Sequence, residues 1–161
     1  MPEFWLDTDS FIQPKDGPYG FDIAPGFWDF LKKKAREGVI ASSSEVYKEL
    51  KQGEEDDLLH WARQQQDEIG FFTEPDPIVQ TIYREIAAYV NKTYPQHQSE
   101  AFLAGADAWI IAHAKAYGRR VVTYEKAAPN SRKAKIPDVA ANFGVNCLNV
   151  YEMVRDLGMR I

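Results

Sequence analysis

Phe4-Trp5-Leu6-Asp7-Thr8-Asp9-Ser10-Phe11-Ile12 is the stretch that decides the fold. An apolar run that ends in acidic and hydroxyl residues reads as a buried strand delivering carboxylates to the C-terminal edge of a sheet. In open α/β folds that edge is where ligands bind. Acids recur where later apolar elements begin or end: Glu45 and Glu49, Asp107, Glu125 and Asp138. A carboxylate cluster of this kind is a divalent-metal site in outline.

Working outward, the strand Phe4 to Leu6 is followed by Gln13 to Gly20, whose prolines and glycines predict an irregular, aromatic loop. Pro25-Gly26 opens a helix to Arg36, closed by Gly38 before a strand Val39 to Ala41. Strand, helix, strand is a parallel crossover unit. Ser42 to Ser44 offer N-caps for a helix from Glu45 to Lys51, and Asp56 and Asp57 start another with Leu58, Leu59, Trp61 and Ala62 on its apolar face. Phe71 to Thr73 reads as a short strand or a turn, and Pro75 and Pro77 begin a long helix through Val90. Next come a helix Ala106 to Tyr117 closed by Gly118, a strand Arg120 to Thr123, a polar loop Ala127 to Lys135, a strand Val145 to Asn149 and a helix Tyr151 to Leu157. Four or five strands alternating with helices predict an α/β fold.

The chain has 161 residues and is 45% hydrophobic, enough for one domain over residues 1–161 and too short for two ordinary ones. Its net charge of −5 argues against holding nucleic acid through overall charge, leaving that task to a local basic patch. Cys147 is the only cysteine, so no internal disulfide forms, and no apolar run is long enough to span a membrane. A cytoplasmic protein is expected. His60, His97 and His113 show no zinc-binding spacing, and no glycine-rich phosphate loop is present.

Each acid also has an ordinary reading, since Asp, Glu and Ser favour helix N-termini. Asp7 is the hardest to read that way, because a carboxylate directly after a buried strand is costly unless paired or metal-bound. Asp107 lies among small and apolar residues. Glu45 and Glu49 share one helix face at a spacing where like charges repel, although Lys48 and Lys51 stand close enough to screen them. Lys126, Arg132, Lys133 and Lys135 form an acid-free basic segment beside Glu125, suited to phosphate contact or simply to solvent.

Taken together, these residues resemble the PIN-domain nucleases, including the VapC-like toxins of toxin–antitoxin pairs. Leu6 to Ile12 looks like that family's opening acid-Thr-Asn/Ser motif, Val46 to Leu50 like its helical Glu-Leu, Ala106 to Ala112 like its Ala-Asp helix, and Val121 to Glu125 like its strand ending in Thr-x-acid. The four occur in the family's order across most of the chain. Tyr19 to Trp28 and Ile136 to Val139 look like marks of a PIN-like subfamily. Two positions depart: Asp9 stands where the family often has Asn or Ser, and Glu125 where it often has Asp.

The resemblance implies a three-layer α/β/α sandwich with a central parallel sheet, and Mg²⁺- or Mn²⁺-dependent hydrolysis of RNA. On that footing Asp7, Glu49, Asp107 and Glu125 are the expected catalytic acids and metal ligands. Asp138 joins them as a ligand, with Asp9 and Glu45 as subsidiary ones, Thr8, Ser10 and Thr123 as supporting hydroxyls, and Lys126, Arg132, Lys133 and Lys135 as the RNA contacts. The expected partners are RNA, an antitoxin protein and a second copy of the chain. Two other readings compete: a haloacid-dehalogenase-type phosphatase using Asp7 as nucleophile and Asp9 as acid, and a non-catalytic PIN-like module that binds RNA or protein.

Overall fold

The computed structural model describes residues 2–160. The quoted stretch supplies strand β1 (Phe4–Leu6), fully buried, followed by α1 (Asp9–Asp16). Next are α2 (Pro25–Arg36), β2 (Ile40–Ser43), α3 (Ser44–Gln52), α4 (Asp57–Ile69) and β3 (Phe72–Thr73). The second half contains α5 (Pro77–Thr93), α6 (Gln96–Ala104), α7 (Asp107–Tyr117), β4 (Arg120–Val122), α8 (Ile136–Asn142), β5 (Cys147–Leu148) and α9 (Val150–Asp156).

All strand pairings are parallel, in the order β3-β2-β1-β4-β5. From β1 the chain builds outward through β2 to β3, then returns to lay β4 on the other side of β1. The strand order therefore reverses between β1 and β4, and the crevice at their carboxyl ends is where such sheets bind ligands. Helix α7 lies across β1, β2 and β4, backed by α5 and α6, while α2 packs on β2 and joins α1 and α4 in the other layer. This is a three-layer α/β/α arrangement around a parallel sheet.

Local chemistry sets the element ends that matter to the crevice. The Ser43 hydroxyl accepts from Glu45 N at 3.1 Å and so starts α3 where β2 stops. Gly118 ends α7 in the left-handed conformation (φ 67°), turning the chain back into β4.

Three expectations need correction. Residues Gln13 to Asp16 are helical rather than loop, with Pro14 inside α1. Pro14 and Phe11, three apart, are both buried, and Phe11 meets Trp61 of α4 at 6.0 Å between ring centroids. That burial outweighs the ~3 kcal/mol cost of an interior proline. Strand β2 runs on into Ser42 and Ser43 instead of ending at Ala41, because the Ser42 hydroxyl is satisfied by donating to Leu6 O at 2.6 Å. The last strand contracts to two residues.

Candidate metal centre

Asp7 leaves β1 at the point where the strand order reverses and is only 4% exposed. Its Oδ1 accepts from Ser10 N at 2.9 Å and from the Ser10 hydroxyl at 2.7 Å. That hydroxyl also lies 2.9 Å from Val122 O, so its one proton ties Asp7 or β4 at a given moment. Burial pushes the Asp7 carboxyl up to about 6, against the lowering effect of hydrogen bonds from Thr123 and Ser10.

Asp107 opens α7 across the crevice. Burial drives its carboxyl up to about 8, reinforced by the charges of Glu125, Asp7, Glu49 and Asp9. Those acids come from the ends of β1 and β4 and from the middle of α3. Among the described residues, no ion pair reaches Asp7, Glu49, Asp107 or Glu125. The charges of four acids thus act on Asp107 with no ion pair to offset them among the described residues.

Glu49 is held from two sides. Thr8 donates its hydroxyl to Oε1, and Ala106 N donates to Oε2 at 3.3 Å. A Cβ on Gly105 would stand 2.6 Å from that Oε2, so any other residue there would displace the Glu49 carboxylate. Glu125 accepts from Ile136 N at 2.9 Å, and its own N–H donates to the Thr123 hydroxyl at 3.1 Å.

The remaining candidates stand elsewhere. Glu45 pairs with Lys48 at 2.7 Å. Asp138 accepts from Ala128 N at 2.8 Å. Asp9 is exposed, yet its charge reaches both Asp7 and Asp107. Lys126, Arg132 and Lys133 are exposed and Lys135 is partly buried; none of the four makes an ion pair among the described residues.

Hard, oxygen-only donors suit Mg²⁺ or Mn²⁺ and suit zinc or copper poorly. Among the described residues, however, no three His, Cys, Asp or Glu side chains lie close enough together to hold one ion as they stand. The donor chemistry fits a hard cation. Closing on one requires these side chains to draw nearer to one another than they stand.

Residues 4–161 match the family described as Domain of unknown function (DUF4411). The chain belongs to the DUF4411 family. No curated protein matches this DUF4411 sequence. Among solved structures, the crystal structure of FitAcB from Neisseria gonorrhoeae is similar in fold, with a TM-score of 0.54 at 18% identity, covering 92% of the DUF4411 chain and 98% of the other. No helix among the described residues is long and apolar enough to cross a membrane.

Two features of the DUF4411 site escaped sequence reading. One is Gly105, because its role depends on the approach of Glu49, on a helix far earlier in the chain. The other is the buried His113 of α7, stacked on Trp5 at 4.8 Å with its Nε2 3.1 Å from the Ser43 hydroxyl. Burial pulls the His113 imidazole down to about 4, so it is neutral near pH 7. The small, apolar pattern around Asp107 predicts burial on that helix but gives no sign of the Ser43 contact.

Proposed function

We propose that this DUF4411 chain, acting as one PIN-like domain over residues 1–161, is a Mg²⁺- or Mn²⁺-dependent endoribonuclease and the toxin of a toxin–antitoxin pair. The observation that carries the reading is the raised Asp107 carboxyl, pushed up by burial and by four other acids at the point where the strand order reverses. Structural acids are normally matched by a cation or a backbone cap; this group costs stability, which marks a functional site.

In this reading Asp7, Glu49, Asp107 and Glu125 hold the metal. A bound divalent ion supplies an activated water and stabilises the oxygen that leaves phosphorus. Ser10 and Thr123 hold the Asp7 carboxylate in one orientation through hydrogen bonds. Thr8 and Ala106 N do the same for Glu49. Lys126, Arg132, Lys133 and Lys135 meet the phosphates beside the acids. The order and spacing of the acids, and the fold that carries them, support this over a phosphatase built on Asp7 and Asp9, because Asp9 lies exposed.

The test is cleavage of single-stranded RNA with Mn²⁺ by the wild type and by Asp7→Asn. The substitution keeps the shape of the side chain and removes its charge, so metal-dependent cleavage should vanish while the fold survives. Undiminished cleavage by a folded Asp7→Asn protein would overturn the assignment.

A further inference from the structure

A second concavity lies outside the acid cluster, on the far side of the basic loop. It encloses about 810 Å³ between the end of α5, the loop after Glu125 and the start of α8. Tyr89, Tyr94, Pro129, Arg132, Pro137 and Asp138 line it. Tyr94, partly exposed, and the Asp138 carboxylate both face this cleft.

The loop between the two sites is laced at both ends by carboxylates. Glu125 takes Ile136 N from the loop's end, and Asp138 takes Ala128 N from its beginning. One clasp ends in the acid cluster and the other in the cleft, so the two cavities share the strap that carries Arg132, Lys133 and Lys135.

We infer that this cleft binds a nucleobase of single-stranded RNA, with Tyr94 as the stacking face and Arg132 at the adjoining phosphate. The inference deepens the ribonuclease reading and rests on RNA being the ligand. Three observations favour RNA over a protein segment as the occupant. The volume accommodates a nucleotide, whose flat base matches a tyrosine ring. Arg132 makes no ion pair among the described residues and so is free for a phosphate. A ring, a cation and a carboxylate oxygen without a donor among the described residues also converge in this cleft. The second oxygen of Asp138, which accepts no hydrogen bond among the described residues, is the acceptor for an N–H on the base edge.

The experiment is binding of a short fluorescein-labelled single-stranded RNA, read by anisotropy in EDTA so that no metal-dependent cleavage intrudes. Tyr94→Leu should weaken binding by about fivefold to about a hundredfold, the range that stacking of one base spans. Tyr94→Phe keeps the ring and should bind within about twofold of wild type. Arg132→Gln, on an exposed loop, provides a second reading that does not touch the core and should weaken binding while flattening its salt dependence. Melting of each variant checks that it is folded. Equal RNA affinity for wild type and a folded Tyr94→Leu overturns the inference and leaves the cleft to a protein partner. So does an absence of RNA binding by the wild type in EDTA. Cleavage with Mn²⁺ is scored separately: its loss alone refutes the nuclease reading, and its presence alongside an inert Tyr94→Leu refutes only the cleft.

Discussion

The Oε2 atom of Glu49 fills the space that a side chain at position 105 would need: it stands 2.6 Å from where the Cβ of a non-glycine residue would be. Helix α3 and the turn before α7 are locked together at this point, where a carboxylate meets bare backbone. Gly105 has an ordinary negative φ, so any cost of replacing it comes from this approach and not from backbone strain.

Gly105→Ala is therefore expected to leave the fold intact and displace the Glu49 carboxylate, which sits at the end of a flexible side chain. Losing the bonds from Thr8 and Ala106 N should cost about 1–3 kcal/mol of stability, and misplacing a ligand should reduce metal-dependent cleavage by about tenfold or more. Denaturant melts paired with a cleavage assay decide it; full activity would remove Glu49 from the ligand set.

The two glutamates of α3 separate by substitution. Glu49→Ala should abolish cleavage, whereas Glu45→Ala, losing only its surface pair with Lys48, should change activity and stability little. The reverse outcome would mean that Glu45, one turn earlier on the same face of α3, carries the chemistry.

Asp107 predicts an unusual pH dependence for the metal-free protein. Its folded carboxyl titrates near 8 against an ordinary 3.8, so the native state binds the proton more tightly than the unfolded chain, and stability falls as pH rises. His113 works oppositely: pulled from 6.5 to about 4, it costs stability as pH falls through that range. The window from pH 6.5 to about 8 isolates Asp107. In EDTA, stability there should drop by about 1–2 kcal/mol with rising pH, and Asp107→Asn should flatten the slope. Mn²⁺ should protect more at the upper end, where the acids are ionised. A flat thermal profile across the window in the wild type would show that Asp107 is not strained by its neighbours.

For the basic loop, replacing Arg132, Lys133 and Lys135 together by Gln should leave Mn²⁺ affinity unchanged, because none of the three offers an oxygen. The salt dependence of RNA binding should lose about 2 units of its logarithmic slope, three neutralised phosphates' worth on a single strand. An unchanged slope would move the RNA path to the aromatic segment around Tyr19 and Phe21.

What was legible in the sequence follows from how local each cause is. Strand β1 and its terminal acid could be read directly, because three buried apolar residues followed by Asp leave little choice of element or edge. The helix over Gln13 to Asp16 could not, since local propensity opposes it and the rings that hold Phe11, those of Trp61, Phe71 and Phe72, come from far along the chain. Helix α6 gave no signal either: its residues are mixed, and the buried Ser99 is satisfied by Asn91 of the preceding helix. At the candidate site, spacing identified which acids belong to which elements. It could not foresee that Glu45 turns to Lys48 while Glu49 turns to Thr8, nor that Asp138 ties the loop and borders the Tyr94 cleft, because those choices depend on what each helix packs against.

The central position of β1 has a consequence for synthesis. Its far-side partner, β4, lies over a hundred residues later in the chain, with Phe4 opposite Arg120 and Leu6 opposite Val122. A growing polypeptide therefore carries Asp7 and Glu49 out of the ribosome long before Asp107 and Glu125 exist to join them. For the activity proposed, the newborn chain is harmless to the messenger and ribosome that make it until β4 and Glu125 have emerged, and arrested chains ending before Arg120 should show no cleavage at all.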